Sequence, residues 1–96
     1  MSMQQQSTAQ TINLWSLEQG QEMTVVITNA PSDCQLEFLH AEDATWRVHP
    51  GFAGAAASGV IVESVQCLSG KMRIVFDDEP VTPYFISLVW AAAPIF

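Results

Sequence analysis

Two cysteines, two histidines and one dense acidic triplet are the side chains of this 96-residue chain that could do chemistry, and their spacing decides whether they do. Cys34, Trp46 and Cys67 invite comparison with the Cys…Trp…Cys framework of immunoglobulin domains. The step from Cys34 to Trp46 suits two successive strands, but Cys67 follows too soon for the strands that should intervene. Val65 also stands where the tyrosine corner would place Tyr. Both cysteines are therefore expected as small buried hydrophobes in inward registers, with a disulfide between them left open for oxidising surroundings.

The triplet Asp77, Asp78 and Glu79 is followed by Pro80 and lacks the D-x-D-x-D-G layout of a calcium loop. It reads as a solvated turn; calcium would require Asp33, Glu42 or Asp43 to converge on it. His40 and His49 have no zinc-finger spacing to the cysteines, and both fall at strand ends. A catalytic pairing with Cys34 or Cys67 would need adjacency in space that spacing cannot supply. Ser58, Ser64, Ser69 and Ser87 sit in no nucleophile elbow. Gly51, Gly54 and Gly59 are not followed by the Lys-Ser/Thr of a phosphate loop. The expectation is a protein without enzymatic activity, metal or cofactor.

Composition points elsewhere. Hydrophobic residues make up 49% of the chain and charged residues only 14%, about half the usual share. So little charge cannot coat a small isolated domain, and large uncovered apolar patches usually meet a partner. Three cations, Arg47, Lys71 and Arg73, stand against ten acids, for a net charge of -7. That balance argues against nucleic acid and anionic membranes as direct partners, since both are bound through clustered Lys and Arg. The opening MSMQQQSTAQT has neither a basic start nor an apolar core, so it is no secretory signal. Cytoplasm, or a virion assembled there, is the expected location. The uncharged run from Val81 to Phe96 is interrupted by Pro83 and Pro94 and falls short of the ~20 residues that cross a bilayer.

The elements that must position these residues read as strands. Residues 1–11 form a polar arm expected to be mobile, and residues 12–96 a single β domain ending in an apolar tail, 92–96. In MTVVITN, Met23, Val25 and Ile27 share one face. In CQLEFLH, Cys34, Leu36 and Phe38 do, and in KMRIVF, Met72, Ile74 and Phe76. Trp46 and Val48 share a face of a short strand. Ser69-Gly70 reads as the turn of a hairpin joining 59–68 to 71–76. Tyr84 to Ala91, apolar at almost every position, reads as a central strand buried on both faces. Six to eight short strands without helical periodicity predict an all-β fold: a small antiparallel sandwich, jelly-roll or Ig-like, or a compact barrel.

Two uses of this architecture follow. In general character, a small acidic β protein with a polar arm and no signal resembles the decoration (cement) proteins of virus capsids, although no motif fixes a family. That resemblance implies a structural subunit that self-associates, as a homo-oligomer, or docks on a larger protein shell. Phe52, Trp90, Ile95 and Phe96, with Met1 and Met3 of the arm, are the expected interface. The alternative is a carbohydrate-binding module stacking sugars on Trp15 and Tyr84. An acidic inhibitor of a host protein, mimicking nucleic acid, is a distant third.

Overall fold

The computed structural model describes residues 2–14, 18–56 and 58–90. Eight strands run in order: β1 (Ser2–Ser7), β2 (Thr11–Leu14), β3 (Glu22–Thr28), β4 (Cys34–Leu39), β5 (Trp46–Val48), β6 (Val60–Gln66), β7 (Met72–Phe76) and β8 (Tyr84–Trp90). They form two antiparallel four-stranded sheets, β1-β8-β3-β6 (sheet A) and β2-β7-β4-β5 (sheet B). Only the β4–β5 link stays within a sheet; every other connection crosses from one sheet to the other. That order, two interlocked Greek keys of eight strands, is the jelly-roll arrangement of a β-sandwich. Among the described residues no helix is long and apolar enough to cross a membrane.

Alternation builds the core. Met23, Val25 and Ile27 of β3 and Ile86, Leu88 and Trp90 of β8 face Leu36 of β4 and Met72, Ile74 and Phe76 of β7, all buried. Side chains of period two on two stacked sheets leave no other place for these groups. The Phe76 and Tyr84 rings meet with centroids 4.6 Å apart, one from each sheet. Phe38, expected inward, is half-buried and packs on the margin of this core.

Three expectations are corrected. Residues 2–7 are not a free arm: they run as β1, paired along their whole length with β8. Their polar sequence gave no alternation because β1 is an edge strand whose described side chains are exposed at Gln4, Gln5 and Gln6. Ser69-Gly70 does not turn a hairpin, because β6 pairs with β3 while β7 pairs with β2 and β4. The turn carries the chain from sheet A to sheet B. Finally, β8 is central in its sheet but buried on one face only, since Phe85 and Val89 are about half exposed.

Candidate functional site

The residues with chemical potential are occupied by the fold. Cys34 and Cys67 are both buried and both free. Burial, with Asp77 and Asp33 nearby, pushes the Cys34 thiol up to about 12, and burial raises Cys67 as well. Thiols held protonated in this way are poor nucleophiles and poor metal ligands. His49, 6% exposed, uses both ring nitrogens. Its Nδ1 accepts from the Gly51 amide at 2.9 Å, which assigns the proton to Nε2, and Nε2 donates to the Gln66 carbonyl at 2.8 Å. The ring thus ties the end of β5 to β6 across the two sheets. His40 Nδ1 lies 3.3 Å from Asp43 Oδ1 but without hydrogen-bond alignment. Among the described residues no three His, Cys, Asp or Glu side chains gather where a metal ion could sit.

The outer face of sheet B is ion-paired. Arg73 Nε donates to Glu37 Oε1 at 2.6 Å, and its guanidinium lies 4.1 Å from the centroid of the Trp46 ring. In the β4–β5 loop, Asp43 accepts from the Thr45 hydroxyl at 2.7 Å and the Thr45 amide at 3.1 Å. Arg47 donates to its second oxygen at 2.8 Å. These bonds, the Thr45 hydroxyl first, hold the exposed Asp43 carboxyl far below the usual carboxylate range. A shallow cleft of about 390 Å³ beside this loop is lined by Phe38, Leu39, His40, Glu42, Leu68 and Ser69 among others.

The outer face of sheet A is of a different kind. Strand register places Gln6, Phe85, Thr28 and Val60 in one row across the four strands. The next row holds Gln4, Ser87, Val26 and Val62, and the third holds Val89, Thr24 and Ser64. Val62 is 61% exposed, Val89 53%, and Val60 and Phe85 45% each. Thr24 and Ser64 satisfy one another across the strands at 3.0 Å. No charged side chain stands in these rows; Glu22, opposite Gln66, lies at their far end. In a chain with ten acids this is a pronounced segregation. It arises because, beyond Glu22 and Gln66 at one end, β3, β6 and β8 carry Val, Thr, Ser and Phe at their outward positions, where strands normally carry charge.

Three of the four sheet edges are blunted. β2 has four residues and β5 three, whereas β1 is a six-residue edge without a charged side chain. On β6, the remaining edge, Glu63 takes an inward register opposite Val25 and is half-buried. Short edges and inward charges both disfavour edge-to-edge strand pairing.

The residues singled out from the sequence are placed differently. Phe52 and Trp90, expected at an interface, are in the core at 9% exposure each. Tyr84, expected to stack sugars, is fully buried; its ring packs on Phe76 and its hydroxyl donates to the Ala9 carbonyl at 2.7 Å. A ring so enclosed offers no face to a ligand. Met1, Trp15, Ile95, Phe96 and the tail 92–96 lie outside the described residues, and Met3 is placed only by its backbone, opposite Leu88. Among the described residues, Phe52 and Trp90 share the core and form no exposed patch. The structure assembles an apolar face from Val60, Val62, Phe85 and Val89 instead. The signal for that face was the apolar residue at outward positions of β6 and β8.

Compared with protein-family models, with curated proteins and with solved structures, the chain matches none.

Proposed function

We propose that this protein is a non-enzymatic assembly subunit that works by burying the outer face of sheet A against other protein, as a capsid decoration protein does on a virus shell. The observation that carries the reading is the apolar patch of Val60, Val62, Phe85 and Val89 on the outer face of sheet A, where Glu22 at the far end is the one charged side chain among the described residues, in a chain of net charge -7. Acids placed almost anywhere else keep the molecule dissolved, while this face stays free of the groups that are costly to desolvate. The jelly roll itself is neutral on the question, since the fold serves many functions.

The size of the contact suits repeated weak docking. The four half-exposed side chains offer on the order of 300 Å² of apolar surface, worth about 7 kcal/mol at ~25 cal/mol per Å² before association costs of similar size. One such contact is weak alone and becomes firm when many act together on a lattice.

The test is a photo-crosslinking residue placed at Val62 in the full chain, expressed in its native cells. The expected result is a protein adduct of discrete mass that Phe85→Glu abolishes and that the same crosslinker at Thr11, on sheet B, does not give. If position 62 yields no protein adduct, the reading is wrong.

A further inference from the structure

Three edges of the sandwich carry a deterrent to strand pairing and the fourth, β1, carries none. We infer that β1 accepts an extended segment of the assembly partner as a fifth strand of sheet A, uncharged along β1 and bearing Lys or Arg where it passes the β7–β8 loop. The inference rests on the assembly reading above and names the part of the partner that docks.

The edge itself is regular. All six residues of β1 pair with β8 in unbroken register, without charge, proline or glycine. A strand paired on one side turns alternate N–H and C=O groups to the other, so β1 leaves about three amides and three carbonyls pointing outward. Among the described residues no strand lies there. Gln4 and Gln6 stand beside Ser87 and Phe85 on the outer face, and both are exposed. Gln5 stands opposite the buried Ile86, in an inward register, and is exposed as well. At Gln5, then, sheet B does not cover β1, and an incoming strand meets no pocket that its side chains must fill. Recognition there runs through the main chain, as in other strand additions.

Charge selects the occupant. A groove of about 480 Å³ lined by Gln6, Ser7, Thr8 and Pro83 lies between the end of β1 and the β7–β8 loop. Gln10 Nε2 donates to the Phe76 carbonyl at 3.0 Å, holding the segment after β1 against the start of that loop. The loop opens with Asp77, Asp78 and Glu79, all exposed, and among the described residues no cation pairs with them. A strand that enters or leaves the edge along this groove gains from a basic residue beside the triplet, and the net charge of -7 draws it in from a distance. The β1 strand of a second copy brings no cation and would leave both triplets unanswered. The edge also continues the rows of the outer face through Gln6–Phe85 and Gln4–Ser87, so a partner lying on that face reaches β1 without a break.

Two capped peptides, KKTVTVTV and EETVTVTV, test this by amide NMR on the full chain at 50 and 500 mM sodium chloride. An antiparallel strand sets the leading charged pair at the Ser7 end of β1. The lysine peptide at 5 mM is expected to slow exchange of alternate amides in residues 2–7 about tenfold. The glutamate peptide should bind about tenfold more weakly at 50 mM, a gap that narrows to about threefold at 500 mM. Asp77→Asn/Asp78→Asn/Glu79→Gln should erase the gap at either salt. Three results overturn the inference: no slowing by the lysine peptide, equal binding of both peptides at low salt, or protection at β5 or β6 in place of β1. Such a failure alongside a protein adduct at position 62 leaves the assembly reading standing. Failure with no adduct removes both.

Discussion

The backbone of Gly54 packs directly on that of Cys34. The Cys34 amide donates to the Gly54 carbonyl at 3.0 Å, and a β-carbon at position 54 would overlap the Cys34 carbonyl oxygen. Gly54 also has φ of +61°, where other residues are strained. This is how the β5–β6 loop seats itself against the start of β4 and places Phe52 in the core. Gly54→Ala is expected to lose at least about 3 kcal/mol in urea denaturation, because neither backbone can move aside. Gly20→Ala, at φ +87° with nothing near its side-chain position, should lose only about 1 kcal/mol.

The raised Cys34 thiol makes a prediction about alkaline pH. Folding favours the protonated thiol, so its contribution is complete below the unfolded value near 9 and is lost as pH rises toward about 12. Within that window the unfolded chain releases a proton that the folded chain keeps, and stability falls by up to about 1.4 kcal/mol per pH unit. Urea midpoints from pH 9 to 11 should fall less steeply for Cys34→Ala than for the wild type. An equal slope would show that the thiol is not held protonated by the fold.

Tyr84 anchors the entry to β2 through its hydroxyl on the Ala9 carbonyl. Tyr84→Phe should cost about 1 kcal/mol, the worth of one hydrogen bond whose acceptor is left behind. Its sharper effect should be local: in hydrogen exchange, the amides of residues 2–9 speed up while those of β3 keep their protection.

Ala44 occupies the left-handed region, φ +54°, in the loop that carries Asp43 and Thr45. An L-residue pays about 1 kcal/mol or more in that conformation, and glycine does not. Ala44→Gly is expected to be neutral or to stabilise by up to about 1 kcal/mol in thermal denaturation. A clear loss of stability would mean that the loop does not hold this backbone in solution.

Much of the fold is legible in the sequence wherever a strand buries one face and wets the other. Met23, Val25 and Ile27 in β3 and Met72, Ile74 and Phe76 in β7 declare both strand and inward side, and they are buried accordingly. The pattern fails where burial does not alternate with polarity. β1 is silent because Gln4, Gln5 and Gln6 are all exposed, so no apolar face marks it. β8 misleads because Phe85 and Val89 look like core residues and are instead a half-exposed outer face. Ser69-Gly70 carries a turn signal that fits a hairpin and a crossing between sheets equally well, and strand pairing is non-local information that no turn contains. The candidate site was hidden for the same reason as β8. Apolar residues at Val60, Val62, Phe85 and Val89 become a surface only when β6, β3 and β8 are placed side by side.

The central claim is that this surface is the one that associates, and methyl NMR of the valines during dilution tests it most directly. From about 1 mM to 20 µM, the methyl signals of Val26, Val60, Val62 and Val89 are expected to shift together along one binding curve. Those of Val48 and Val75, outward on sheet B, and of Val81, 94% exposed in the β7–β8 loop, should stay still. Shifts confined to Val48 and Val75 would contradict the account.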